Sequence, residues 1–424
     1  MEMMEKPDEE NEASFLKATL SEKDRIEKFL RAENKELWNA INTSNVSFLF
    51  KAFLFANRIR KYVKVTFAQF VKIFPHGDSL TESSKTGDSK VVKSSFCDII
   101  FVIPTNKIEL GGLQSSFELA NYISGKGLSV KIVYLNHDPT GVKSDIMFNK
   151  SDAKNFTCNL VVVCGSEASD YLSTIESFRF SKSAMFMQGP DHYFESDWSR
   201  SLKFMNMLEK SALTLAISPY MARLSKFYGA KNVVTVSIGL DLTSFYYGDT
   251  TRQKTIVIPC RANRDKGTHL VIPLIPKLKK LGWRVIGFGD LPDIKMASHF
   301  DDFLGRISKV ELGRIFREST VLLDPSFIEG LGLIPLEAAA CGCIPIIGTR
   351  RSYTGLFKDD EKPYFEVSNF LDPEEVMQKI DDANRTNYSK LFSEYILRVD
   401  WANGYQKAFD ELKSMLVKSD QNDK

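Results

Sequence analysis

Two glutamates lie eight positions apart in the stretch EGLGLIPLEAAACGCIPIIG, which spans residues 329–348. Glu329 precedes a glycine-rich turn, and Glu337 lies among apolar residues that otherwise read as buried. A carboxylate can accept hydrogen bonds from two hydroxyl groups at once, so each acid suits a diol such as a ribose or a sugar ring. One acid on a ribose and the other on a sugar would span a nucleotide-sugar.

Each acid also has an interpretation that involves no ligand. Pro335 suits the first position of a helix, which would place Glu337 in the first helical turn, where the helix dipole favours an acid. Glu329 could be a solvated loop charge. However, it precedes Gly330 and Gly332 in a loop that follows a predicted strand, and such loops are where the backbone meets a ligand. The residues alone leave both interpretations open for Glu337 and favour ligand binding for Glu329.

The cations that could meet a pyrophosphate lie in a second strand-to-helix loop, IPCRANRDKG. Arg261 and Lys266 stand five positions apart in it, beside Gly267. At the carboxyl end of a strand they are well placed to hold a diphosphate leaving group. The alternative is that both form surface salt bridges with Asp265.

A glycine pair, Gly111–Gly112, opens a predicted helix in ELGGLQSSFELA. The free amides of a helix N-terminus suit an anion, although glycine pairs also occur in ordinary turns. The sequence contains no Asp-x-Asp and no His/Asp/Glu cluster with ligand spacing. We therefore expect no metal and no cofactor, with basic side chains and helix amides neutralising the phosphates.

Near-continuous apolar segments alternate with helical ones over most of the chain, which is typical of parallel sheets covered on both faces. They form two series, and the pattern predicts an α/β protein with two Rossmann-like domains facing a cleft. The predicted strands are 98–104, 129–135, 159–165, 183–189 and 213–218 in the first series, and 254–260, 283–289, 319–326 and 343–348 in the second.

These patterns predict five segments along the 424 residues. They are an N-terminal helical extension (1–80), a Ser/Gly-rich linker (81–95), a first Rossmann-like acceptor domain (96–248), a second nucleotide-sugar domain (249–395), and a C-terminal helix and tail (396–424).

The composition is that of a folded protein, with 43% hydrophobic and 26% charged residues. A net charge of +2 gives no global attraction to nucleic acid, and none is expected as a partner. The six cysteines lie mostly in apolar segments without zinc-ligand spacing, which predicts reduced, buried residues of a cytoplasmic protein. The acidic, polar start resembles neither a secretory signal nor a transit peptide.

Residues 40–74 contain no acid, and their lysines and arginines alternate with phenylalanines and aliphatic residues. A basic, aromatic, amphipathic helix can lie on an anionic membrane surface. The same stripe could equally pack on a neighbouring domain or on a partner protein. Peripheral association with the inner face of a membrane is one expectation for this segment.

The order of these motifs carries a family resemblance. The GG loop, SPY…YGAKNVVTVSIGLD…F, R-x4-K-G, GFG and PS…EG-x-G-x-x-x-LEA-x-A-CG resemble the retaining GT-B glycosyltransferases of family 4, also called glycosyl transferases group 1. The similarity covers about residues 96–410 and is most specific in the second half. SAMFMQGPDHYFESDW resembles a segment of rhamnosyltransferase-like members, and the basic-aromatic helix resembles extensions on surface-polysaccharide enzymes.

The resemblance implies a role for each motif. Glu337 would bind the nucleotide ribose and Glu329 the donor sugar, while Arg261 and Lys266 would hold the diphosphate. The glycine pair would face the phosphates from the opposite domain. The remaining donor-binding positions would be Gly267, Gly330, Leu331 and Gly332.

The family often carries a histidine near the reaction centre. His192, beside Asp191 and Gln188 on a loop after a strand, is the candidate, and His137 is its rival.

The activity implied is transfer of a sugar from a nucleotide diphosphate sugar to a glycan or lipid-linked acceptor hydroxyl, with retention at the anomeric carbon and without a metal. The expected setting is surface polysaccharide synthesis. Two other functions fit the same architecture: a non-catalytic scaffold that binds glycan or partner proteins, and a nucleotide-sugar epimerase.

Overall fold

Two parallel sheets organise the part of the chain that the computed structural model describes, namely residues 95–107, 111–151, 153, 156–174, 179–190, 198–248, 250–291, 293–326, 328–350, 352–385, 388–401 and 403–417. Both sheets belong to one structural unit, which lies within Ser89–Lys424. The predicted N-terminal extension, with its basic-aromatic segment 40–74, lies outside the described residues. So does the predicted linker apart from Ser95.

The first sheet has seven strands in the order β3-β2-β1-β4-β5-β6-β7. Every pairing in it is parallel. Its strands are β1 (Ser95–Thr105), β2 (Val130–Asn136), β3 (Met147–Asn149), β4 (Phe156–Cys164), β5 (Arg179–Met187), β6 (Leu213–Ala216) and β7 (Val233–Thr235). The helices between them are α1 (Gly111–Gly125), α2 (Ser166–Thr174), α3 (Trp198–Lys210) and α4 (Pro219–Phe227).

The second sheet has six strands in the order β10-β9-β8-β11-β12-β13, again all parallel. Its strands are β8 (Gln253–Cys260), β9 (Arg284–Gly289), β10 (Asp302–Phe303), β11 (Ser319–Asp324), β12 (Ile344–Gly348) and β13 (Phe365–Val367). Its helices are α5 (Thr268–Val271), α6 (Ile275–Lys280), α7 (Lys309–Glu318), α8 (Leu333–Ala340), α9 (Pro373–Arg385) and α10 (Tyr388–Leu397), and α11 (Gly404–Val417) closes the described chain.

Apolar sequence explains the central strands, because strands covered by helices on both faces read as continuous hydrophobic segments. The last five residues of β4, LVVVC, are all buried, and so are the last six of β8, TIVIPC. The six cysteines are free and buried, as predicted. All nine predicted strands form, and the prediction of an α/β protein with two Rossmann-like domains is confirmed.

Local capping signals position two helices near the domain boundary. The Ser218 hydroxyl accepts a hydrogen bond from the Met221 amide at 3.2 Å, and Pro219 follows it at the first helical position of α4. The Ser308 hydroxyl accepts from the Glu311 amide at 3.2 Å and so begins α7. These caps fix where each helix starts relative to the strand before it.

Helix α11 returns to the first sheet. The Tyr122 hydroxyl on α1 donates to Gln406 Oε1 at 2.7 Å, and Lys182 Nζ on β5 donates to the Met415 carbonyl at 2.7 Å. The two domains are thus connected by the returning helix as well as by the segment between β7 and β8. In the ranges described, no helix has both the length and the apolar character needed to cross a membrane.

Candidate functional site

The second sheet brings two charged loops together at its carboxyl edge. β8 and β11 are neighbouring strands, with Val257 opposite Leu322. The loop after β8 carries Arg261 and Lys266, and the loop after β11 carries Glu329. Strand order reverses between β8 and β11, and α/β sheets bind their ligands at such a point.

Lys266 and Glu329 form an ion pair in which Nζ lies 2.9 Å from Oε1. The Ser326 hydroxyl donates to the same carboxylate oxygen at 2.8 Å. Lys266 Nζ also donates to the Ile328 carbonyl at 3.3 Å and lies 3.5 Å from Asp265 Oδ2. The second oxygen of Glu329, Oε2, accepts no hydrogen bond from any described residue.

The ion pair is ionised at neutral pH. Burial by itself raises the pKa of Glu329, but the charges of Lys266 and then Arg350 outweigh burial, so that pKa lies below its ordinary value. Burial by itself lowers the pKa of Lys266, whereas Glu329 and Asp265 raise it by more. The site therefore presents a fixed anion and a fixed cation side by side.

Glu337 lies in a different environment, as the fifth of the eight residues of α8. The residue is 7% exposed, and no described residue donates a hydrogen bond to its side chain. Burial is the main cause that raises its pKa to about 7, while the positive charges of Lys309 and Arg261 act in the opposite direction. Glu337 is therefore partly protonated at neutral pH.

The prediction that Glu337 is a first-turn acid behind Pro335 is wrong. The helix begins two residues earlier, at Leu333, after Gly332 in a left-handed conformation with φ 78°. Glu337 thus follows the first turn and is buried, because the glycine ends the preceding loop sooner than a proline at the first helical position would require. A favourable helix-dipole charge does not explain this side chain.

Arg261 is held through its backbone. The Thr268 hydroxyl accepts from the Arg261 amide at 2.8 Å and donates to the Arg261 carbonyl at 3.0 Å. Its half-buried guanidinium pairs with no described residue. The alternative in which both cations pair with Asp265 holds only for the 3.5 Å contact of Lys266, which is longer than the contact of Lys266 with Glu329.

Two glycines allow the loops to approach closely. Gly267 has φ 67°, and a Cβ there would lie 2.6 Å from the Pro325 carbonyl oxygen. A Cβ on Gly330 would lie 1.7 Å from the backbone oxygen of Gln188, which belongs to the first domain. Only glycine fits at either position without moving backbone. Gly330 thus brings the Glu329 loop against the end of β5.

The first domain contributes the glycine pair at the start of α1. Gln188 Nε2 donates to the Gly112 carbonyl, and the Ser116 hydroxyl donates to Gln188 Oε1 at 3.2 Å. Gln188 therefore contacts the glycine pair with its side chain and Gly330 with its backbone. The Ser218 hydroxyl completes this junction by donating to the Gly330 carbonyl at 2.8 Å.

The remaining predicted positions divide into three cases. Leu331 is buried, at 3% exposed. His192 and Asp191 lie outside the described residues. His137, the rival histidine, is exposed, and its ring lies 5.9 Å from the ring of Tyr134, measured between centroids.

Sequence reasoning missed a buried ion pair beneath the Glu329 loop. Arg350 Nη2 lies 3.2 Å from Asp324 Oδ2, with the two side chains 1% and 7% exposed. The Tyr353 hydroxyl, close to Arg350, donates to the Gly332 carbonyl. Asp324 ends a strand and could have been read as a loop charge, whereas nothing in TRRSYTG signals a buried arginine.

A second polar cluster joins the domains near Glu337. Lys309 Nζ lies 2.9 Å from Glu118 Oε1, and the Tyr405 hydroxyl donates to Glu118 Oε2 at 2.6 Å. These three residues line an open cavity of about 420 Å³ together with Tyr122 and Asp241. Among the residues with described positions, no group of three or more His, Cys, Asp or Glu side chains could hold a metal ion.

Solved structures with the same arrangement define the fold class as GT-B. Sucrose-phosphate synthase from Thermosynechococcus elongatus is 13% identical with a TM-score of 0.60, over 76% of this chain and 100% of that one. HepE from Anabaena, in complex with UDP-glucose, is 14% identical with a TM-score of 0.58, over 75% and 100%. WaaG, a glycosyltransferase involved in lipopolysaccharide biosynthesis, is 12% identical with a TM-score of 0.55, over 74% and 99%.

The predicted GT-B fold is therefore confirmed. Residues 245–395 match the family model described as Glycosyl transferases group 1. This match covers the second sheet and all the charged residues of its carboxyl edge. The sequence matches no curated protein.

Proposed function

We propose that this protein is a glycosyltransferase that moves a sugar from a nucleotide diphosphate sugar to an acceptor hydroxyl. The single observation that carries the proposal is the cluster at the β8–β11 switch point. There the Lys266–Glu329 pair lies on the same sheet edge as Arg261, whose guanidinium pairs with no described residue, and the charge of Arg261 acts on the buried Glu337. Two cations and two acids match the two phosphates and two sets of hydroxyls of such a donor.

The donor would lie across this cluster. Oε2 of Glu329 accepts hydroxyl hydrogen bonds from the transferred sugar, because Oε1 is already engaged by Lys266 and Ser326. Glu337 accepts from the nucleotide ribose. Arg261 and Lys266 hold the diphosphate from one side.

Backbone groups would complete the donor site. The amides of the glycine pair at the start of α1 face the phosphates from the first domain. The glycine-rich turns, which include the buried Leu331, let the backbone of the second domain come near the donor. These positions are Gly111, Gly112, Gly267, Gly330, Leu331 and Gly332.

The reaction breaks the bond between the anomeric carbon and the diphosphate oxygen, which leaves with the electron pair. Arg261 and Lys266 stabilise the charge that develops on the diphosphate, and this stabilisation lowers the barrier. The acceptor oxygen forms the new bond at the anomeric carbon and transfers its proton to the departing phosphate. Attack on the same face gives retention, and no side-chain nucleophile is needed. His192 remains the candidate histidine near the reacting atoms.

Two of the similar solved structures suggest the classes of donor and acceptor for this proposal. HepE has been crystallised with UDP-glucose, which favours a UDP-sugar donor here. WaaG acts in lipopolysaccharide biosynthesis, which favours a glycan or lipid-linked acceptor in surface polysaccharide synthesis.

Residues 40–74 would then bring a cytoplasmic enzyme to the inner face of a membrane. Co-sedimentation of the full chain with anionic but not neutral vesicles is the expected result, and equal co-sedimentation with both excludes this role.

The first experiment is a thermal-shift screen of the full chain against UDP, GDP, dTDP and ADP. A nucleotide present at one hundred times its Kd stabilises the native state by about 2.7 kcal/mol, so the matching base gives the largest rise in Tm. The matching nucleotide with a radiolabelled sugar is then offered with and without a lipid-linked glycan acceptor. Label appearing in the acceptor supports the proposal. No Tm rise with any diphosphate, or binding without release of sugar, contradicts it.

A further inference from the structure

A charged pair lies buried under the loop that carries Glu329. Arg350, two residues after β12, and Asp324, at the end of β11, are 1% and 7% exposed and lie 3.2 Å apart. Taking two charges out of water is costly, and an apolar pair of similar volume is often as stable. Arg350 Nε also has no hydrogen-bond partner in the described structure. Stability alone therefore does not account for Arg350.

The pair holds the first part of the loop. Asp324 Oδ1 accepts from the Ser326 amide at 3.1 Å, and Arg350 Nη1 donates to the Ser326 carbonyl at 3.4 Å. The Ser326 hydroxyl in turn donates to Glu329 Oε1 at 2.8 Å. Both backbone polar groups of Ser326 are thus fixed by the buried pair, and the Ser326 side chain transmits that orientation to Glu329.

The same arginine contacts the tyrosine that holds the other end of the loop. The Tyr353 hydroxyl donates to the Gly332 carbonyl, and Arg350 Nη2 lies 3.5 Å from that hydroxyl oxygen. The guanidinium carbon of Arg350 also lies 5.2 Å from the centre of the Tyr353 ring. The segment between Ser326 and Gly332 is therefore fixed at both ends by groups that converge on Arg350.

We propose that Arg350 is a positioning residue, which acts through Ser326 and Tyr353 to hold the Glu329 carboxylate in the orientation that binds the transferred sugar. This inference rests on the proposed function for the identity of the ligand. The geometry that it describes does not depend on turnover. The Arg350 side chain is only 1% exposed, so its effect on a bound sugar is indirect.

Charge contributes as well as geometry. The charged or titratable groups that act on Glu329 are Lys266, Asp265, Arg350 and Tyr353, with Asp324 paired to Arg350 beneath it. Lys266 and Arg350 favour the carboxylate form. Removing Arg350 therefore raises the pKa of Glu329, whereas removing an arginine from a distant part of the surface does not.

The test uses Arg350→Met, Arg350→Lys and the double variant Asp324→Asn/Arg350→Met in the full chain. The double variant removes both buried charges together, in case the single methionine leaves Asp324 too costly to bury. Arg314→Met is the matched control, because Arg314 pairs with Glu311 and Glu318 at 2.7 and 2.6 Å on the exposed surface of α7. One readout is the pH titration of the Glu329 carboxyl by carbon NMR with labelled glutamate, assigned with Glu329→Gln.

The second readout separates kcat for the nucleotide-sugar from the Kd of the nucleotide diphosphate alone. Misplacing a reacting group by about 1 Å can cost about a hundredfold in rate. We expect kcat of Arg350→Lys to fall by about 10- to 100-fold, because lysine keeps the charge but lacks the two separate nitrogens with which Arg350 donates to Ser326 and Asp324. The Kd of the nucleotide diphosphate stays unchanged, since it depends on Arg261, Lys266 and Glu337, and Arg350 donates a hydrogen bond to none of these three among the described residues.

The proposal is supported when the Glu329 titration moves to higher pH in the methionine variants but not in Arg314→Met, and when kcat falls without a change in nucleotide Kd. An unmoved Glu329 titration in both methionine variants overturns it. A parallel loss of kcat and nucleotide affinity in Arg350→Lys also overturns it, because that pattern indicates general damage to the fold. If the wild type transfers no sugar, the proposed function fails, and the NMR titration still decides whether Arg350 positions Glu329.

Discussion

The two carboxylates of one motif, Glu329 on a loop and Glu337 on a helix, differ in their hydrogen bonds and in the direction of their pKa shifts. Glu329 receives hydrogen bonds from Lys266 and Ser326, and its pKa is lowered. Glu337 receives none from the described residues, and burial raises its pKa to about 7. The protein orients the first acid itself, whereas the second has its hydrogen-bonding capacity left for a ligand.

Under the proposed function, this difference fits two separate roles, sugar binding for Glu329 and ribose binding for Glu337. A carboxylate that must grip the reacting sugar benefits from being fixed in advance, because fixed groups need no reorganisation during the reaction. A carboxylate that only binds a ribose can remain partly protonated until the ribose hydroxyls and the phosphates arrive. Nucleotide binding and pH are then linked through Glu337, while the Glu329 pair stays ionised over the same range.

The largest expected effect is on the fixed pair. Under the proposed function, Lys266→Ala and Glu329→Ala should each lower kcat by about 10²- to 10³-fold, since each would remove one electrostatic contact at the reacting centre. The measurement is transfer of labelled sugar at saturating donor. The matched controls are Lys277→Ala and Glu374→Ala, from an exposed ion pair of similar length, 2.6 Å. Equal kcat in the site and control variants would remove Lys266 and Glu329 from the chemistry.

The second effect is on stability. The pKa of Glu337 rises from 4.5 to about 7 on folding, so the folded chain binds the extra proton between those values. The resulting stabilisation is complete below about pH 4.5 and is lost as the pH rises through 7. Relative to Glu337→Gln, the wild type should lose up to about 3 kcal/mol between pH 5 and 8.5. Urea unfolding at several pH values measures this difference.

A stability difference between the wild type and Glu337→Gln that does not depend on pH would show that Glu337 is ionised throughout. In that case the contrast between the two acids would disappear. Other groups also titrate in this range. Their contributions cancel only when the free energy of unfolding of Glu337→Gln is subtracted from that of the wild type at each pH.

A third effect, in the opposite direction, is on nucleotide affinity. The carboxylate form of Glu337 accepts ribose hydrogen bonds better than the protonated form, so the affinity for a nucleotide diphosphate should rise by about tenfold between pH 6 and 8. Isothermal titration calorimetry measures this dependence. In Glu337→Gln the affinity is weaker and changes less with pH. An identical pH profile in both proteins would assign the titrating group elsewhere.

The smallest effect is on the pH midpoint of nucleotide affinity and concerns Lys309, which lies in the second domain and pairs with Glu118 in the first. Its charge lowers the pKa of Glu337, so Lys309→Met should move the midpoint of the affinity profile to higher pH. The ion pair with Glu118 is partly exposed and contributes about 0.2–1 kcal/mol, so the fold remains intact. Glu118→Gln is the informative partner, because it removes a negative charge near Glu337 and should move the midpoint in the other direction. Midpoints that do not respond to either change would exclude this coupling.

Much of this architecture was readable from local patterns. Apolar segments such as LVVVC and TIVIPC predicted the central strands, because a strand buried on both faces must be apolar throughout. The strands that were missed, β3, β7, β10 and β13, have only two or three residues and are the edge strands of the two sheets. An edge strand pairs with only one neighbouring strand. In two or three residues the hydrophobic pattern is too short to predict a strand.

The sequence by itself determined which residues are available for chemistry and the sheets that carry them, because residue type and short-range spacing encode both. Glu329 follows strand β11, and Arg261 and Lys266 follow strand β8. All strands of a parallel sheet end at the same edge, so the prediction of a parallel sheet already placed these residues at one edge. Tertiary structure alone decided that Glu337 is buried with no hydrogen-bond donor among the described residues, and that Arg350 reaches Asp324 and Ser326 from the neighbouring strand. Such placements depend on desolvation and on contacts between distant segments, which no local spacing records.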